Sequence, residues 1–582
     1  MPDKITSLYR ARLAKEKGAA RKDWGGKIRI ALAYPNYYRI GMSNLGFQVV
    51  YHLLNGKENV VAERVFLPEG IEMSLFAEAG KGILSLESLS PLGKFDIIAF
   101  SLSFENDYIN ILRILELGRI PLFSEERDEH YPLVMAGGIM TFLNPEPLAP
   151  FFDFFLLGEA EAVLNEFIDE FAEQRLACNR KREILESLAR RCKSVYVPSL
   201  YAVDYHKDGT IKSMEPTDSS IPAKIQVSRQ ASLDAHVAAS SILTPETEFA
   251  DKVLVELGRG CGRSCRFCAA GYVYRPPRYH EAPHLLACID KLLEKNRQIG
   301  LLATSVCDIP GIENIARFIV DSDGSFSVSS LRADALTEEI LEHLKNSGQK
   351  TLAIAPEVGT DRLAKMINKH LFREQIIRAV QMIARTGNFA IRLYFMIGLP
   401  TETREDVEGI VELVKSIRHH LIKESSTRGS IGQIRLSVNC FIPKPFTPFQ
   451  WFPMDNVVAL KDKQRWLKKI LSREGGIKVT FDLPKWAYVQ SLLSMGDRRA
   501  GILLHLVHKH GGDWVKGSRF SDINPDFFVY RPKGHDEILP WDFIDHGIRK
   551  EHLIKEYNLA LKGEESDVCH VGQCVRCGVC ER

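Results

Sequence analysis

Long apolar segments are missing from this chain. A bilayer-spanning helix needs roughly 18–20 apolar residues, whereas the longest apolar run, Phe95–Phe104, is interrupted by Asp96 and has the length of a buried strand. The polar leader, residues 1–26, has no apolar core, so no secretory signal is predicted. We therefore expect a cytoplasmic protein that does not associate with membranes, and cysteines that are thiols or metal ligands.

The chain also lacks an excess of charge of either sign. Its 76 Lys and Arg residues against 74 Asp and Glu residues give a net charge of +2. So small a charge creates no long-range field toward nucleic acid or an anionic membrane. A nucleic acid substrate stays possible but has no support, because no recognisable RNA-binding module accompanies the balanced composition.

Cysteines are absent before Cys178 and concentrated elsewhere. Seven of the twelve lie in two tight clusters, within 261–268 and 569–580. In a protein of a reducing compartment, such clustering indicates metal binding rather than disulfides.

Residues 27–175 alternate apolar runs with amphipathic helical segments. Strands that are apolar throughout and alternate with helices predict a doubly wound parallel sheet covered on both faces. Gly137 and Gly138 directly follow the fourth of these runs. This is the carboxyl edge, where doubly wound sheets bind ligands.

The alternation of strands and helices stops over residues 176–246. We interpret this segment as a connector with a β-hairpin around Asp208 and Gly209. The alternation returns over 247–480 with six strand–helix units, too few for a complete eight-stranded barrel. The pattern predicts an α/β protein with a partial (β/α)6 barrel. Residues 481–560 are a mixed C-terminal α/β region, and 561–582 form a cysteine-rich tail.

Three cysteines occupy the loop after the first barrel strand. Cys261, Cys265 and Cys268 have the spacing C-x3-C-x2-C, and soft thiolates select zinc or iron–sulfur clusters. Structural zinc nearly always has four protein ligands, and the nearest histidine downstream, His280, lies twelve residues beyond Cys268. A cubane held by three cysteines leaves one iron open. The loop therefore favours a 4Fe–4S cluster over a zinc knuckle.

This loop resembles the signature of the radical S-adenosylmethionine (radical SAM) superfamily. The resemblance implies that the open iron binds S-adenosylmethionine, whose reductive cleavage gives a 5′-deoxyadenosyl radical. APEVGTDRL resembles the fourth-strand segment whose Glu contacts the cofactor, SLRAD the third-strand segment whose Arg faces its carboxylate, and MIGLPTETREDV the fifth-strand motif at the adenine. The implied cofactor-binding residues are Phe267, Arg332, Glu357, Ile397, Gly398 and Pro400.

Two glycines follow the fourth strand of the N-terminal domain, and LLGEAEAV follows the fifth. In this order the domain resembles the cobalamin-binding domain that precedes many radical SAM barrels. With FIPKPFTPFQW, SMGDRRAG and the terminal CVRCGVC, the resemblance points to a largely uncharacterised branch. Residues 27–175 do not contain the Asp-x-His-x-x-Gly motif of methionine-synthase-like domains, so cobalamin would lack a His ligand on its lower face. A sheet that has lost its ligand and only docks the barrel is the alternative. The implied cobalamin contacts are Asn36, Ser43, Ser101, Ser103, Gly137, Gly138, Gly158 and Glu159.

Methylthiotransferases also place an α/β domain before this barrel, but theirs carries three cysteines for a second cluster. Because no cysteine occurs here before Cys178, that interpretation is rejected.

A second array, C-x4-C-x2-C-x2-C, lies near the end of the chain. Four thiolates can complete a tetrahedral zinc site or hold an auxiliary iron–sulfur cluster, and the metal stays open. His570 could replace one ligand. An unliganded tail is the alternative, although four exposed thiols would invite oxidation. The members of the array are Cys569, Cys574, Cys577 and Cys580.

Candidate catalytic side chains are Cys307 and Cys440, near strand ends, and Tyr394. A buried cysteine is more often a small core residue than a radical- or methyl-carrying thiol. The predicted activity is methylation of an unactivated carbon of an unknown substrate by a cobalamin-dependent radical SAM enzyme. A reductant protein such as flavodoxin or ferredoxin would supply the electron.

Two other functions stay open. One is a cobalamin-dependent radical rearrangement or cyclisation without methyl transfer. The other is a catalytically inactive, cobalamin-responsive binding protein, against which the intact cysteine triad argues.

Overall fold

The N-terminal part of the protein is a six-stranded sheet covered by helices. The computed structural model describes residues 4–177, 180–249, 252–426 and 432–581. The strand order is β2–β1–β3–β4–β5–β6, and all pairings are parallel except the last. Its helices and strands are α1 (Lys4–Ala14), β1 (Ile28–Tyr34), α2 (Tyr38–Met42), α3 (Leu45–Gly56), β2 (Val60–Phe66), α4 (Gly70–Ala79), β3 (Ile97–Ser101), α5 (Tyr108–Leu117), β4 (Leu133–Gly137), α6 (Ile139–Leu143), β5 (Phe154–Leu156), α7 (Ala160–Ala177), α8 (Lys181–Arg191) and β6 (Val195–Tyr196).

Local chemistry explains these elements. All seven residues of β2 are buried, as a strand with helices on both faces requires. At the start of α3 the Asn44 side chain accepts a hydrogen bond from the Phe47 amide, which satisfies one of the free N–H groups of the first turn. The predicted doubly wound parallel sheet is confirmed.

A short connector follows the sheet. It contains β7 (Tyr201–Tyr205), β8 (Ile211–Pro216) and β9 (Ile225–Gln226). The first two strands pair antiparallel around Asp208 and Gly209, and β9 pairs in parallel with a strand near the C-terminus.

The second large unit is an open, partial barrel of parallel strands. Three strands follow the order β10–β13–β14 and four the order β15–β16–β17–β18, and a parallel bridge between Leu331 and Ile354 links the two arms. Its elements are β10 (Val253–Glu256), β11 (Gly258–Arg259), α9 (Ala270–Val273), β12 (Arg278–Tyr279), α10 (Ala282–Leu293), β13 (Gln298–Leu302), α11 (Ile312–Asp321), β14 (Ser325–Val328), α12 (Glu338–Asn346), β15 (Thr351–Glu357), α13 (Asp361–Met366), α14 (Arg373–Thr386), β16 (Ala390–Ile397), α15 (Arg404–Ser425), β17 (Ile434–Cys440), α16 (Val457–Leu471) and β18 (Ile477–Phe481).

The partial barrel is confirmed, and the structure adds a seventh parallel strand, β18, to the six predicted. Sequence analysis missed it because only one face of β18 is packed: Ile477, Val479 and Phe481 contact the core, whereas Lys478 and Thr480 are exposed. A strand exposed on one face lacks the continuous apolar run of the inner strands.

The remaining chain returns to the N-terminal domain. It comprises α17 (Pro484–Met495), α18 (Arg498–Lys509), α19 (Trp514–Arg519), α20 (Asp526–Val529), β19 (Ile544–Asp545) and α21 (Lys550–Lys562). None of the helices in the described ranges combines the length and apolarity that crossing a bilayer requires.

Buried polar groups join this C-terminal region to the first domain. Glu146, which is 1% exposed, accepts a hydrogen bond from the Tyr196 hydroxyl and pairs with Arg498 at 2.9 Å. Asn144 donates to the carbonyls of Ser494 and Gly496 at 3.0 and 2.7 Å. The C-terminal helices are therefore held against the first domain by contacts far apart in sequence.

Replacing Arg498 by Met tests this junction. We expect Arg498→Met to lower the apparent free energy of unfolding by about 3 kcal/mol, because it leaves the Glu146 carboxylate buried without its cation. The control, Arg182→Met, breaks an exposed pair with Glu186 and should cost less than about 1 kcal/mol. Urea titration followed by fluorescence measures both, and equal effects would contradict the proposed role of the junction.

Candidate functional site

The cysteine loop 261–268 lies at the carboxyl edge of the barrel and is anchored by a buried arginine. Arg266 is 0% exposed, donates to the Met366 carbonyl at 3.0 Å and pairs with Glu556 of α21 at 3.1 Å. Within the loop the Cys268 amide donates to the Cys265 carbonyl. Burial raises the pKa of the Cys268 thiol to about 12, so a bound metal is what would keep it a thiolate.

A network of charged groups lies beside this loop. The ammonium of Lys369 is 3.0 Å from the carboxylate of Glu357, and the Lys369 carbonyl accepts from Arg332 at 3.2 Å. Arg332 also forms a two-pronged pair with Asp334 at 2.9 and 3.0 Å. Burial opposes the charge of Lys369, but Glu357 and Cys265 outweigh it and raise the lysine pKa.

Glu357 has a backbone angle φ of +70°, which is rare for a residue other than glycine. It ends β15 beside an irregularity in the pairing with β16. Such strain is found at functional sites, where surrounding contacts hold it in place. The structure thus brings Glu357 and Arg332 together, and it adds Lys369. Sequence analysis missed Lys369 because its loop carries no spacing signal.

The glycine of the fifth-strand motif is required by its own packing. Gly398 has φ +80°, and a Cβ atom there would lie 2.7 Å from the side chain of Leu460. Its amide donates to the buried carboxylate of Glu402, which also pairs with Lys463 at 2.6 Å. Pro400 follows in the same turn. The motif is therefore a rigid strand end.

The remaining barrel candidates lie on different faces. Phe267 packs against an apolar cluster that includes Leu399 and Phe441. Ile397 belongs to the core between strands and helices. The amide group of Gln464 on α16 lies 3.8 Å from the Cys440 thiol, so Cys440 faces the helices and is not brought together with the cysteine loop.

Cys307 and Tyr394 are the remaining two candidates, and Cys307 packs at the edge of the core between strands and helices. Cys307 sits in the short 3₁₀ helix Val306–Asp308, and burial raises the pKa of its thiol, although a backbone hydrogen bond from Arg332 opposes this. Tyr394 alternates with the helix-facing residues Leu393 and Phe395, so its side chain points toward the barrel interior.

A cavity of about 550 Å³ opens at the carboxyl edge of the N-terminal sheet. It runs between the sheet and the helices α3 and α7, and it reaches the barrel beside the start of the cysteine loop. Six of the eight residues predicted for cobalamin line it. The lining includes Ser101, Ser103, Gly137, Gly138, Gly158 and Glu159 from the first domain, the apolar Val50, Leu54, Leu164 and Phe167 from the helices, and Glu256, Gly260 and Thr304 from the barrel.

The other two predicted cobalamin contacts bond elsewhere. The amide of Asn36 donates to Asp107 at 2.8 Å. The hydroxyl of Ser43 donates to the Arg39 carbonyl and accepts from the Glu248 amide. Neither residue lines the cavity.

The three glycines that line the cavity have different structural reasons for lacking a side chain. At Gly138 (φ +105°) a Cβ atom would lie 2.4 Å from the Leu102 carbonyl oxygen, and at Gly158 (φ +144°) 2.3 Å from that of Ser228. Glycine is required at Gly138 and Gly158 because another segment of backbone lies too close for a side chain. A Cβ at Gly137 would meet no atom within 4 Å, so at Gly137 the missing side chain leaves cavity space open.

Glu159 forms salt bridges between the first domain and the barrel. Its carboxylate accepts from Arg278 at 2.6 and 2.9 Å and pairs with Arg259 at 3.0 Å. Burial opposes ionisation, but Arg278 and Arg259 together lower the pKa of Glu159. The residue lines the cavity, yet its charge is already neutralised by the barrel.

The C-terminal cysteines fold back onto the first cysteine loop. The amide of Cys569 donates to the carbonyl of Gly262 at 2.7 Å. The guanidinium of Arg275, which is 3% exposed, faces the thiols of Cys569 and Cys577. No Asp or Glu of the described residues forms an ion pair with Arg275, so this buried cation matches anionic, metal-bound thiolates.

The cysteine loop and the sheet-edge cavity suit the iron–sulfur cluster and the cofactor that the family resemblance implies. Across the described residues no three His, Cys, Asp or Glu side chains converge on one ion-sized position, so the fit is assessed from donor chemistry. The first loop offers three soft thiols and no fourth ligand, which suits a cubane with an open iron. The sheet-edge cavity has apolar walls and few polar groups, as cofactor sites commonly do.

Comparison with protein families agrees with this geometry. Residues 46–198 match the model "Radical SAM proteins, N-terminal", and residues 255–414 match the model "Radical SAM superfamily". The second match spans the cysteine loop and the segments that carry Arg332, Glu357 and Gly398. The chain belongs to the radical SAM superfamily. Membership implies a 4Fe–4S cluster and S-adenosylmethionine.

This radical SAM protein has relatives in archaea and bacteria. It is 29% identical to the uncharacterised protein MJ0966 of Methanocaldococcus jannaschii over 80% of this chain and 88% of that protein. It is 25% identical to the uncharacterised methyltransferase PH0819 of Pyrococcus horikoshii over 50% of this chain and 59% of that protein. A tRNA-2-methylthio-N(6)-dimethylallyladenosine synthase of Desulforamulus reducens is 22% identical over 40% and 55%. The last two matches span little more than half of those relatives.

Among solved structures, the radical SAM protein is similar to a radical S-adenosylmethionine methyltransferase and to a cobalamin-dependent S-adenosylmethionine radical enzyme. TsrM from Kitasatospora setae, with cobalamin and a 4Fe–4S cluster bound, has a TM-score of 0.45 and 12% identity over 92% of this chain and 99% of that chain. OxsB, with aqua-cobalamin and S-adenosylmethionine bound, has a TM-score of 0.44 and 12% identity over 92% and 79%.

Alanine substitutions separate the two kinds of glycine in this radical SAM protein. Gly138→Ala and Gly158→Ala should each lower the apparent free energy of unfolding by about 1–3 kcal/mol, because a side chain is strained at positive φ and collides with a carbonyl. Gly137→Ala should change it by no more than about 0.5 kcal/mol. Urea denaturation of the three variants measures this, and similar losses at all three positions would refute the distinction.

Proposed function

We propose that this chain is a cobalamin-dependent radical SAM methyltransferase that acts on an unactivated carbon. The observation that carries the proposal is the position of the 550 Å³ cavity. It lies between the carboxyl edges of two parallel sheets, directly beside the loop of Cys261, Cys265 and Cys268. A cofactor in this cavity would face the cofactor of the cysteine loop.

In this proposal the three cysteines hold the 4Fe–4S cluster. When bound, the cluster and S-adenosylmethionine together supply reductive cleavage of the sulfonium bond. Lys369 holds the Glu357 carboxylate in place for the cofactor's amino group, and Arg332 serves its carboxylate. Phe267, Gly398 and Pro400 form the adenine end, and Ile397, whose side chain is buried between strands and helices, contributes only its backbone.

The N-terminal cavity is the proposed cobalamin site. When bound, cobalamin supplies a methyl carrier. Ser101 and Ser103 offer hydroxyls at the strand ends, Gly137 leaves room at the edge, and the apolar slot between the sheet and α3 and α7 suits a flat ring system. The N-terminal domain lacks the Asp-x-His-x-x-Gly motif whose His ligates cobalt. The one stretch of the chain with that spacing, 204–209, lies in the β7–β8 hairpin with His206 exposed and outside the cavity lining. The chain would therefore leave the lower face of cobalamin without that ligand.

The C-terminal cysteines are proposed as a second metal centre, either zinc or an iron–sulfur cluster. Arg275 supports it, because a buried guanidinium without a carboxylate partner among the described residues requires negative charge nearby. Four metal-bound thiolates at Cys569, Cys574, Cys577 and Cys580 provide that charge. The centre would lie against Gly262 of the first loop.

The proposal includes a reductant protein, such as flavodoxin or ferredoxin, and a cytoplasmic location, where the thiols stay reduced. Reaction class is tested by anaerobic incubation with S-adenosylmethionine and reductant. In protein loaded with cobalamin, which would accept the methyl group, formation of both 5′-deoxyadenosine and S-adenosylhomocysteine is expected of a methyltransferase. If 5′-deoxyadenosine forms alone, methyl transfer is excluded in favour of a rearrangement, and if neither forms, the enzyme is inactive.

Metal counts on cysteine variants test the two centres separately. Cys265→Ser should remove about four iron per chain and abolish 5′-deoxyadenosine formation, because a cubane needs three thiolates. Cys577→Ser should instead remove either zinc or the second set of iron. Cys288→Ser, on α10 outside both arrays, is the control. Elemental analysis after anaerobic purification measures all three, and unchanged iron in Cys265→Ser would disprove the assignment.

Filling the sheet-edge cavity tests the cobalamin site. Gly137→Leu should abolish cobalt binding and leave iron unchanged, since its side chain occupies space that is open in the native protein. Gly137→Ala, which adds one methyl group, is the matched control and should retain most cobalt. Cobalt and iron are counted in protein from cobalamin-supplied cells. Native protein without cobalt, or equal cobalt in both variants, would exclude cobalamin from this cavity.

A further inference from the structure

Three cations stand side by side on neighbouring barrel strands. Arg392 of β16 is paired in register with Arg435 of β17, which is paired with Lys478 of β18. Like charges directly opposite one another destabilise a sheet. In the described parts of the chain no carboxylate forms an ion pair with any of the three, and Arg435 bonds only to the amide oxygen of Gln433 at 3.0 Å. We name Arg392, Arg435 and Lys478 the cation row.

The cation row faces the inside of the barrel. On β16 the residues Ile391 and Leu393, on either side of Arg392, pack in the core between strands and helices. On β17 the same holds for Ile434 and Leu436, on either side of Arg435. Because successive side chains of a strand point to opposite faces, the row points away from the helices. Arg392 is half-buried, whereas Arg435 and Lys478 are exposed and reachable from solvent.

The next row toward the carboxyl edge consists of hydroxyl groups. Tyr394 is paired in register with Ser437, and Ser437 with Thr480. The Ser437 and Thr480 hydroxyls are 3.4 Å apart. Hydroxyl donors beside guanidinium and ammonium groups form the set of ligands that recognises phosphate oxygens.

The other arm of the barrel has the same chemistry at the same end. A cavity of about 450 Å³ there is lined by Ser325, Ser327 and Ser329 and by Lys252 and Lys350, with no Asp or Glu in its wall. The ammonium of Lys252 lies 3.1 Å from the Ser327 hydroxyl. The amino-terminal half of the barrel interior is therefore cationic and rich in hydroxyls on both arms, although the chain as a whole is nearly neutral.

We propose that the cation row binds a phosphate or diphosphate group of a small organic substrate. This inference rests on the proposed function for the reaction itself. Arg392 lies four residues before Met396, which is near the carboxyl edge, and strand geometry puts about 13 Å between their Cα atoms. The substrate therefore extends from a phosphate at the row past Tyr394 to a reacting carbon beside the cysteine loop.

Pyrophosphate binding tests the assignment directly. Isothermal titration calorimetry of the cluster-loaded, full-length protein at fixed ionic strength should show saturable binding at one site. Arg392→Gln and Arg435→Gln should each raise the dissociation constant about tenfold or more, since each removes a charge-assisted hydrogen bond. Arg404→Gln and Lys461→Gln, exposed helix residues with the same loss of charge, are the controls and should bind as the native protein does.

The melting temperature of the variants shows whether weaker binding is caused by unfolding. Because the cation row is self-repelling, Arg435→Gln should melt at the same temperature as the native protein or higher, so weaker binding cannot be ascribed to unfolding. Arg435→Lys keeps the charge and should keep most of the affinity. Undetectable pyrophosphate binding by the native protein, or equal weakening in the control variants, would overturn the proposal.

Two further measurements test the substrate class and distinguish a failure of this inference from a failure of the proposed function. A single-stranded RNA that binds at the row more than tenfold tighter than pyrophosphate would overturn the assignment to a small substrate. Calorimetry requires neither reductant nor turnover. Native protein that cleaves S-adenosylmethionine but does not bind pyrophosphate refutes the phosphate site alone, whereas binding without cleavage refutes the enzymatic function and leaves the phosphate site intact.

Discussion

The carboxylate of Glu159 and the guanidinium groups of Arg259 and Arg278 hold together the two edges on which the candidate site depends. Parallel sheets bind ligands at their carboxyl ends, and here two such ends face one another. Glu159 comes from the strand end of the first domain, whereas both arginines come from strands that flank the cysteine loop. This ionic contact, together with the packing of Tyr272 and Val273 in the core of the first domain, keeps the 550 Å³ cavity next to the cysteine loop.

Sequence periodicity predicted the elements that are buried on both faces, such as β1 and β2, because a short, continuous apolar run is typical of a strand covered by helices on both sides. It missed β18, where Lys478 and Thr480 face the open side of the barrel. The cysteine loop was predictable because its ligands are neighbours in sequence. Lys369 and Arg275 were not, since each acquires its role from residues that approach it only in the folded chain.

Glycine shows how one residue type can mislead. Gly137 and Gly138 are adjacent, and the sequence predicted that both contact the same ligand. In the structure, however, the two positions lack a side chain for different reasons. Gly138 is fixed by the carbonyl of Leu102, and only Gly137 borders open space. A strand-end glycine pair therefore indicates a ligand edge, but it does not say which of its members a ligand contacts.

The charge around the two cysteine arrays makes them interdependent. Arg275 is buried beside Cys569 and Cys577, and it also donates at 2.7 Å to the hydroxyl of Ser264 in the first loop. A buried guanidinium is tolerated only where anionic groups surround it. Metal-bound thiolates at the C-terminus would thus stabilise an arginine that helps to shape the first loop. Loss of the C-terminal metal would unbalance that arginine, and its effect would reach the loop of Cys261, Cys265 and Cys268 without any direct ligand being changed.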